Sequence, residues 1–292
     1  MKKIAIIGSS GQLGTDLSEA LVQKSAYELH LLDHTDIECT DKQSVDRALL
    51  DIEPDIVINC AAFVRVDDCE DDPRSAFGVN ALGAGYVARA CSEIDAVSVY
   101  ISTDYVFDGT KDTPYSEEDP QNPLNVYGIS KLAGEQLVRN YCEKHFIVRS
   151  SGLYGLKGPE GNGGSGGNFV ETMLRLEGLG EPIRVFRDQV LAPTFTKDLA
   201  GAIAELIETD QYGTCHITNS GECSWYAFGK AVFEISGLEP DYGSVSSSSY
   251  GARAARPAYS VLDNSRVKEL GIPALREWRH ALREYLELRS SA

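Results

Sequence analysis

"KIAIIGSSGQLG", residues 3–14, carries a short apolar run into three glycines, with two residues between each and the next. The run Ile4–Ile7 reads as a strand buried on both faces. After Gly8 the pattern turns helical and continues through Leu21. Gly8, Gly11 and Gly14 therefore sit where a strand becomes a helix. Glycine lets the backbone turn tightly and approach a pyrophosphate, and the helix N-terminus offers unpaired N–H groups. The alternative is a tight turn that holds nothing. The placement at the end of a first strand favours dinucleotide binding.

The same alternation runs outward from this turn. Strands are expected at 28–33, 55–62, 96–102 and 145–151. Between them lie helical stretches around 42–52, a long helix over 76–93, and a helix opening at Tyr127. Continuous apolar strands alternating with helices predict an α/β fold, a doubly wound parallel Rossmann-type sheet. After Gly152 the rhythm breaks. Residues 155–169 hold seven glycines, and short strands then mix with helices, as expected of a smaller α/β substrate-binding lobe. The expected division is 1–152, with returning segments around 183–218, for the NAD(P)-binding domain, and 153–182 with 219–292 for the lobe.

The chain has 292 residues and a net charge of −17. Such a surface repels nucleic acid and anionic membrane. No run of 18 apolar residues is present, and the N-terminal run is too short for a signal peptide. Seven cysteines form no CxxC, and five histidines form no HExxH, so no protein-built metal site is expected. Free thiols in a reducing compartment suit a cytoplasmic protein. "YGARAARPAYSVLDN" places Arg253 and Arg256 in a stretch without acids, either a phosphate site or a solvated patch.

Strand two ends at Asp33, about 20 residues beyond the glycines, where an acid accepts hydrogen bonds from the adenosine ribose and repels a 2′-phosphate. His34 comes next and would offset that repulsion if protonated, so the choice between NADH and NADPH stays open. Strand four runs into "ISTDYVFDG", with Thr103 and Asp104 at its carboxyl end, where open parallel sheets bind ligands. The helix of "NVYGISK" carries Tyr127 and Lys131 four residues apart, hence on one face. Ile129, Leu132, Ala133 and Leu137 are expected on the opposite, core-facing side. Tyr226 and Lys230 repeat the spacing, so spacing alone does not decide between water and a cleft; the strand ending in Thr103 singles out Tyr127. These parts suit hydride transfer to a carbonyl: Tyr127 as general acid, Lys131 lowering the phenol pKa, and Thr103 donating to the carbonyl oxygen.

Taken in order, "GSSGQLG", "NCAAFVRVDDCE", "STDYVFDG", "PLNVYGISKLAGE", "GGNFVETML", "DQVLAPTFTKDLA", "TNSGECSWY" and "ARPAYSVLDN" resemble the dTDP-4-dehydrorhamnose reductase family of extended short-chain dehydrogenases over almost the whole chain. The resemblance implies reduction of the 4-keto group of dTDP-4-dehydro-β-L-rhamnose by NADPH or NADH. It implies cofactor contacts from Gly8, Gly11, Gln12, Leu13, Gly14, Asp33, His34, Glu38, Ala62, Phe63, Val64, Asn80, Tyr127 and Lys131. Thr103, Tyr127 and Lys131 become the catalytic trio. Asp104, Asn168, Gln189 and Arg256 join Thr103 as contacts of the dTDP-sugar. Some members bind magnesium between subunits, which implies a homodimer with that ion at its interface. Two departures stand out: Gly152 occupies the place of a tryptophan found in some members, and Val64-Arg65 replaces Thr-Ala. Competing readings are a related nucleotide-sugar epimerase or dehydratase, and a non-catalytic dinucleotide-binding regulatory subunit. Against a dehydratase, Tyr105 stands where those enzymes carry a glutamate.

Overall fold

The computed structural model describes residues 1–24, 26–157, 167–251 and 253–291. Five strands lead the central sheet: β1 (Lys2–Ile7), β2 (Tyr27–Leu32), β3 (Ile56–Asn59), β4 (Val97–Thr103) and β5 (His145–Ser150). A sixth strand, Gly213–His216, returns to pair with β5. The order is β2-β1-β3-β4-β5 and then 213–216, and every pairing is parallel. The chain leaves β1 in one direction to β2 and in the other to β3. The switch point that opens a ligand crevice therefore lies between β1 and β3, beyond their carboxyl ends.

Alternate side chains of each strand serve two different cores, which is why the strands read as unbroken apolar runs. Ile4, Ile6, Ile58, Val99 and Val148 pack with Leu17 of α1 (Gln12–Val22) and with Ile203 of helix Thr196–Leu206. Ala5, Ile7, Val57, Tyr100 and Ile147 pack with Leu49 of α2 (Lys42–Ile52) on the other face. Two short helices come after β3: α3 (Val66–Asp71) and α4 (Pro73–Phe77). Then come a π-helical turn, Gly78–Gly83, and α5 (Ala84–Glu93).

The single helix expected over 76–93 is thus broken by the π turn. Gly83 explains part of this: a side chain there would meet the Cys39 carbonyl at 2.9 Å, so the turn packs tightly on the loop before α2. The π turn also carries Asn80, whose amide is used by the site described below.

α6 (Val126–Tyr141) starts as its sequence predicts, with the Asn125 side chain accepting from Gly128 N. Its orientation corrects the sequence reading. The buried face is Gly128, Lys131, Gly134, Glu135 and Val138, whereas Ile129 is 43% exposed and Leu132, Ala133 and Leu137 are half-buried. The small residues decide this. A Cβ on Gly134 would lie 2.2 Å from the Asn80 carbonyl, so the helix packs backbone-close along its glycine face.

A third core rich in aromatic residues, among them Tyr154, Phe195, Phe228 and Tyr285, supports the lobe. Strand Ile183–Phe186 pairs with Tyr242–Val245 there, and Ile183 and Val185 fill that core. The segment expected to return to the sheet from 183 onward therefore begins to do so only at Thr196–Leu206 and Gly213–His216. Conversely, Val267 and Ile272, assigned by sequence to the lobe, pack into the central core.

Candidate active site

The glycine turn is built as its spacing demands. Gly8 has φ +76°, a conformation that favours glycine, and a Cβ on Gly14 would stand 2.3 Å from the Gly8 carbonyl. Gly11 is the N-cap of α1 and supplies no side-chain cap, so the first-turn N–H groups of Gln12, Leu13 and Gly14 remain for a ligand. A Cβ on Gly11 would meet only the Gly8 carbonyl, at 3.3 Å. These residues fit a dinucleotide.

Asp33 sits just past β2, its Oδ1 accepting from Thr35 N and Thr35 Oγ1 at 2.8 and 2.9 Å. Those bonds hold the carboxyl below the usual range, hence ionised. His34 and Glu38 are exposed beside it, and Glu38 accepts from Thr40. The loop after β3 passes Gly8 closely and carries Ala62, Phe63 and Val64. Asn80 pins this loop from behind. Its Oδ1 accepts from Phe63 N at 2.8 Å, and its Nδ2 donates to Phe63 O and Ser130 Oγ. Asn80 is fully buried, so it shapes the cofactor side of the crevice by holding Phe63.

Thr103 and Tyr127 come together, and Lys131 lies one turn further along α6. The Tyr127 hydroxyl interacts with the Thr103 side chain, and burial pushes the phenol pKa well up. Lys131 is 2% exposed. Its Nζ donates to the Ile101 carbonyl at 2.6 Å and sits 4.1 Å over the Tyr100 ring. Desolvation brings its pKa down to about 7, while Glu135 one turn on pulls the other way. The lowering expected from Lys131 is not seen: burial dominates at Tyr127, and the phenol stays neutral. Thr103 donates to Asp104 Oδ1 (3.1 Å) and accepts from Tyr105 N (3.2 Å).

The expected sugar contacts are engaged within the protein. Asp104 is 3% exposed and accepts from Ser151 and Ser260. Asn168 caps helix Phe169–Gly178, and its Nδ2 donates to the Gly155 carbonyl and to Gln12 Oε1, tying the lobe to the glycine turn. Gln189 Nε2 donates to Ser247. Arg256 forms an ion pair with Asp67 at 2.7 Å and Arg253 pairs with Asp71, so the acid-free stretch meets the acidic α3 in space. Arg65 pairs with Asp68. At Gly152, φ is +53° and a Cβ would lie 2.6 Å from Leu191 Cδ1, so any side chain there is strained and must displace Leu191. Residues 158–166 of the glycine-rich stretch lie outside the described residues.

Sequence reasoning missed Ser151, Ser260, Asp67 and Glu135. Ser151 stands immediately after β5, at the carboxyl edge of the sheet where ligands bind, and that position was the signal for it. Ser260, 156 residues from Asp104, carried no local signal. The Tyr226–Lys230 pair is the contrast: Tyr226 stacks on Tyr242 in the lobe and Lys230 pairs with Glu234 at the surface.

Comparison with known proteins agrees with this geometry. The family described as RmlD substrate binding domain matches residues 1–290. Spore coat polysaccharide biosynthesis protein SpsK of Bacillus subtilis is 45% identical over 292 residues, covering 100% of this chain and 99% of its own. A dTDP-4-dehydrorhamnose reductase of Mycolicibacterium smegmatis is 38% identical, covering 97% of this chain and 84% of its own. The crystal structure of dTDP-4-dehydrorhamnose reductase from Bacillus anthracis in complex with NADP superimposes with a TM-score of 0.92 at 39% identity, covering 99% and 100% of the two chains. With its glycine turn, its Thr–Tyr–Lys cluster and this end-to-end likeness, the chain belongs to the dTDP-4-dehydrorhamnose reductase family.

Proposed function

We propose that this protein reduces the 4-keto group of dTDP-4-dehydro-β-L-rhamnose to dTDP-L-rhamnose at the expense of NAD(P)H. What supports the reading is Tyr127 beside Thr103, with Lys131 one turn along the same helix, in a chain that matches named reductases from end to end. A bound nicotinamide supplies the hydride. Tyr127, kept protonated by its surroundings, gives the ketone oxygen its proton. Lys131, anchored on the Ile101 carbonyl, brings positive charge near the reacting oxygen and the nicotinamide ribose. Gly8, Gly11, Gln12, Leu13 and Gly14 receive the pyrophosphate, and Asp33 the adenosine ribose. All seven cysteines are free thiols, in keeping with a cytoplasmic enzyme. Among the described residues no helix is long and apolar enough to cross a membrane. Leu82 and Ile129 are exposed apolar side chains that a second copy in a homodimer would cover. The test is NAD(P)H oxidation with the 4-keto sugar generated in situ, with the product's stereochemistry checked by NMR. No oxidation above the rate without sugar would remove the reading.

Both cofactors are expected to serve. Asp33 disfavours a 2′-phosphate, yet Oδ2 is left free of the Thr35 bonds and the carboxylate is open to solvent screening. Comparison of kcat/KM for NADH and NADPH should give a ratio below about 10³, or ~4 kcal/mol.

Arg256 is proposed to receive the diphosphate of the sugar nucleotide, a role for which a guanidinium fork is suited. Asp67 competes for the same fork. Arg256→Ala should therefore raise KM for the sugar nucleotide and leave cofactor affinity alone, whereas Asp67→Asn should lower that KM. Equal KM values in wild type and both variants would leave the pair a structural one.

A further inference from the structure

Asp104 is enclosed by three hydroxyls from three separate parts of the chain. Ser151 Oγ and Ser260 Oγ donate to Oδ2 at 2.8 and 2.5 Å, and Thr103 Oγ1 meets Oδ1 at 3.1 Å. Thr103 also accepts from Tyr105 N and interacts with the Tyr127 hydroxyl. Each hydroxyl has a single proton to donate. Ser151 and Ser260 use theirs on Oδ2, which leaves Oδ1 as the oxygen facing Thr103. Two arrangements of the remaining protons matter for Tyr127.

We infer that Asp104 sets the direction of the Thr103 hydroxyl and, through it, of the Tyr127 proton, acting as a positioning residue for the proton donor. With a proton on Oδ1, Asp104 donates to Thr103 and Thr103 donates to the phenol oxygen. The Tyr127 proton is then left for the ketone. With Asp104 ionised, Thr103 donates to the carboxylate and Tyr127 donates to Thr103, away from the substrate. This inference rests on the reductase reading above.

Both states are accessible near neutrality. Burial lifts Asp104 to about 6, against the opposing pull of Ser260, Ser151 and Thr103. The titratable neighbours are Tyr105 on the same turn and Tyr127 on α6, both pushed up by burial and so neutral. Beyond Tyr105 lies the Arg256–Asp67 pair. Lys131 is the neighbour that titrates in the same range, and its Nζ bonds the Ile101 carbonyl.

The test is the pH profile of hydride transfer in a single turnover, with NADPH and the 4-keto sugar premixed. The protonated acid is the productive form, so the wild-type rate is expected to fall as pH rises through about 6. Ser260→Ala removes a donor from the ionised carboxylate, raises its pKa, and should move the fall upward by roughly one unit. Ser151→Ala should move it the same way. In Asp104→Asn the amide nitrogen donates to Thr103 at every pH, and the fall should vanish. Neither serine bonds Lys131 Nζ, so a fall belonging to Lys131 would stay put. A fall unmoved in both serine variants, or still present in Asp104→Asn, overturns the inference.

A second readout needs no activity. pH-difference infrared spectra should contain a carboxylic acid band that is lost in Asp104→Asn and titrates higher in Ser260→Ala. If that band is missing in the wild type, the inference also fails. If instead the wild type shows the band and oxidises no NADPH with the sugar, the reductase reading is what has failed. Circular dichroism of each variant confirms folding, and the two serine variants stand in for one another should either not fold.

Discussion

Tyr127→Phe is expected to lower turnover by roughly 10²–10⁴-fold, the range for loss of a positioned general acid. The substitution keeps the ring, and with it the edge contact to Tyr105 at a centroid distance of 6.0 Å. It removes only the hydroxyl that interacts with Thr103. Cofactor affinity, read by quenching of NADPH fluorescence, should survive, because Lys131 keeps its anchor on Ile101 and the glycine turn is untouched. Tyr226→Phe is the internal control. Tyr226 shares the four-residue spacing to a lysine but stacks on Tyr242 in the lobe, so its loss should be nearly silent in turnover. A Tyr127→Phe enzyme within a few-fold of wild type would take Tyr127 out of the chemistry.

Glu135→Ala should destabilise the fold by about 3–5 kcal/mol, the cost of leaving a buried charge without its partner. Glu135 and Arg149 are both fully buried. Arg149 Nε and Nη2 donate to the two carboxylate oxygens at 2.8 and 2.7 Å, a fork-to-fork pair, and Ser102 adds a third donor at 2.6 Å. His216 faces the same guanidinium at 3.3 Å. Burial and that cation hold the imidazole down to about 3, so it is neutral and offers no compensating charge. Urea unfolding measures the loss. The double variant Glu135→Leu, Arg149→Met removes both charges and should recover most of it. If the double variant is no more stable than Glu135→Ala, the cost lies in packing and the ion-pair account fails.

Much of this protein was legible in the chain itself. The parallel sheet is implied by apolar runs alternating with helical stretches. The turn at residues 8–14 is implied by glycines that sterics require: φ at Gly8 is positive, and Gly14 has no room for a Cβ. The strand ending at Thr103 and the helix opening at Tyr127 were also readable, since each is a local pattern with a local cause. Asn125 caps that helix as its residue type predicts.

Tertiary structure decided the rest, wherever the outcome depends on groups far apart in sequence. α6 turns its glycines, Lys131 and Glu135 inward because Gly134 touches the Asn80 carbonyl and Glu135 meets Arg149, facts that no hydrophobic period contains. The arginines at 253 and 256 lie in a stretch without acids, yet each finds an aspartate of α3, since charge pairing acts through space. Asp104 is buried among Ser151 and Ser260, brought to it by a neighbouring strand and by the lobe. Local sequence sets backbone conformation through sterics and capping; desolvation and hydrogen-bond partnership, which set the protonation of Tyr127, Lys131 and Asp104, exist only once distant segments have packed.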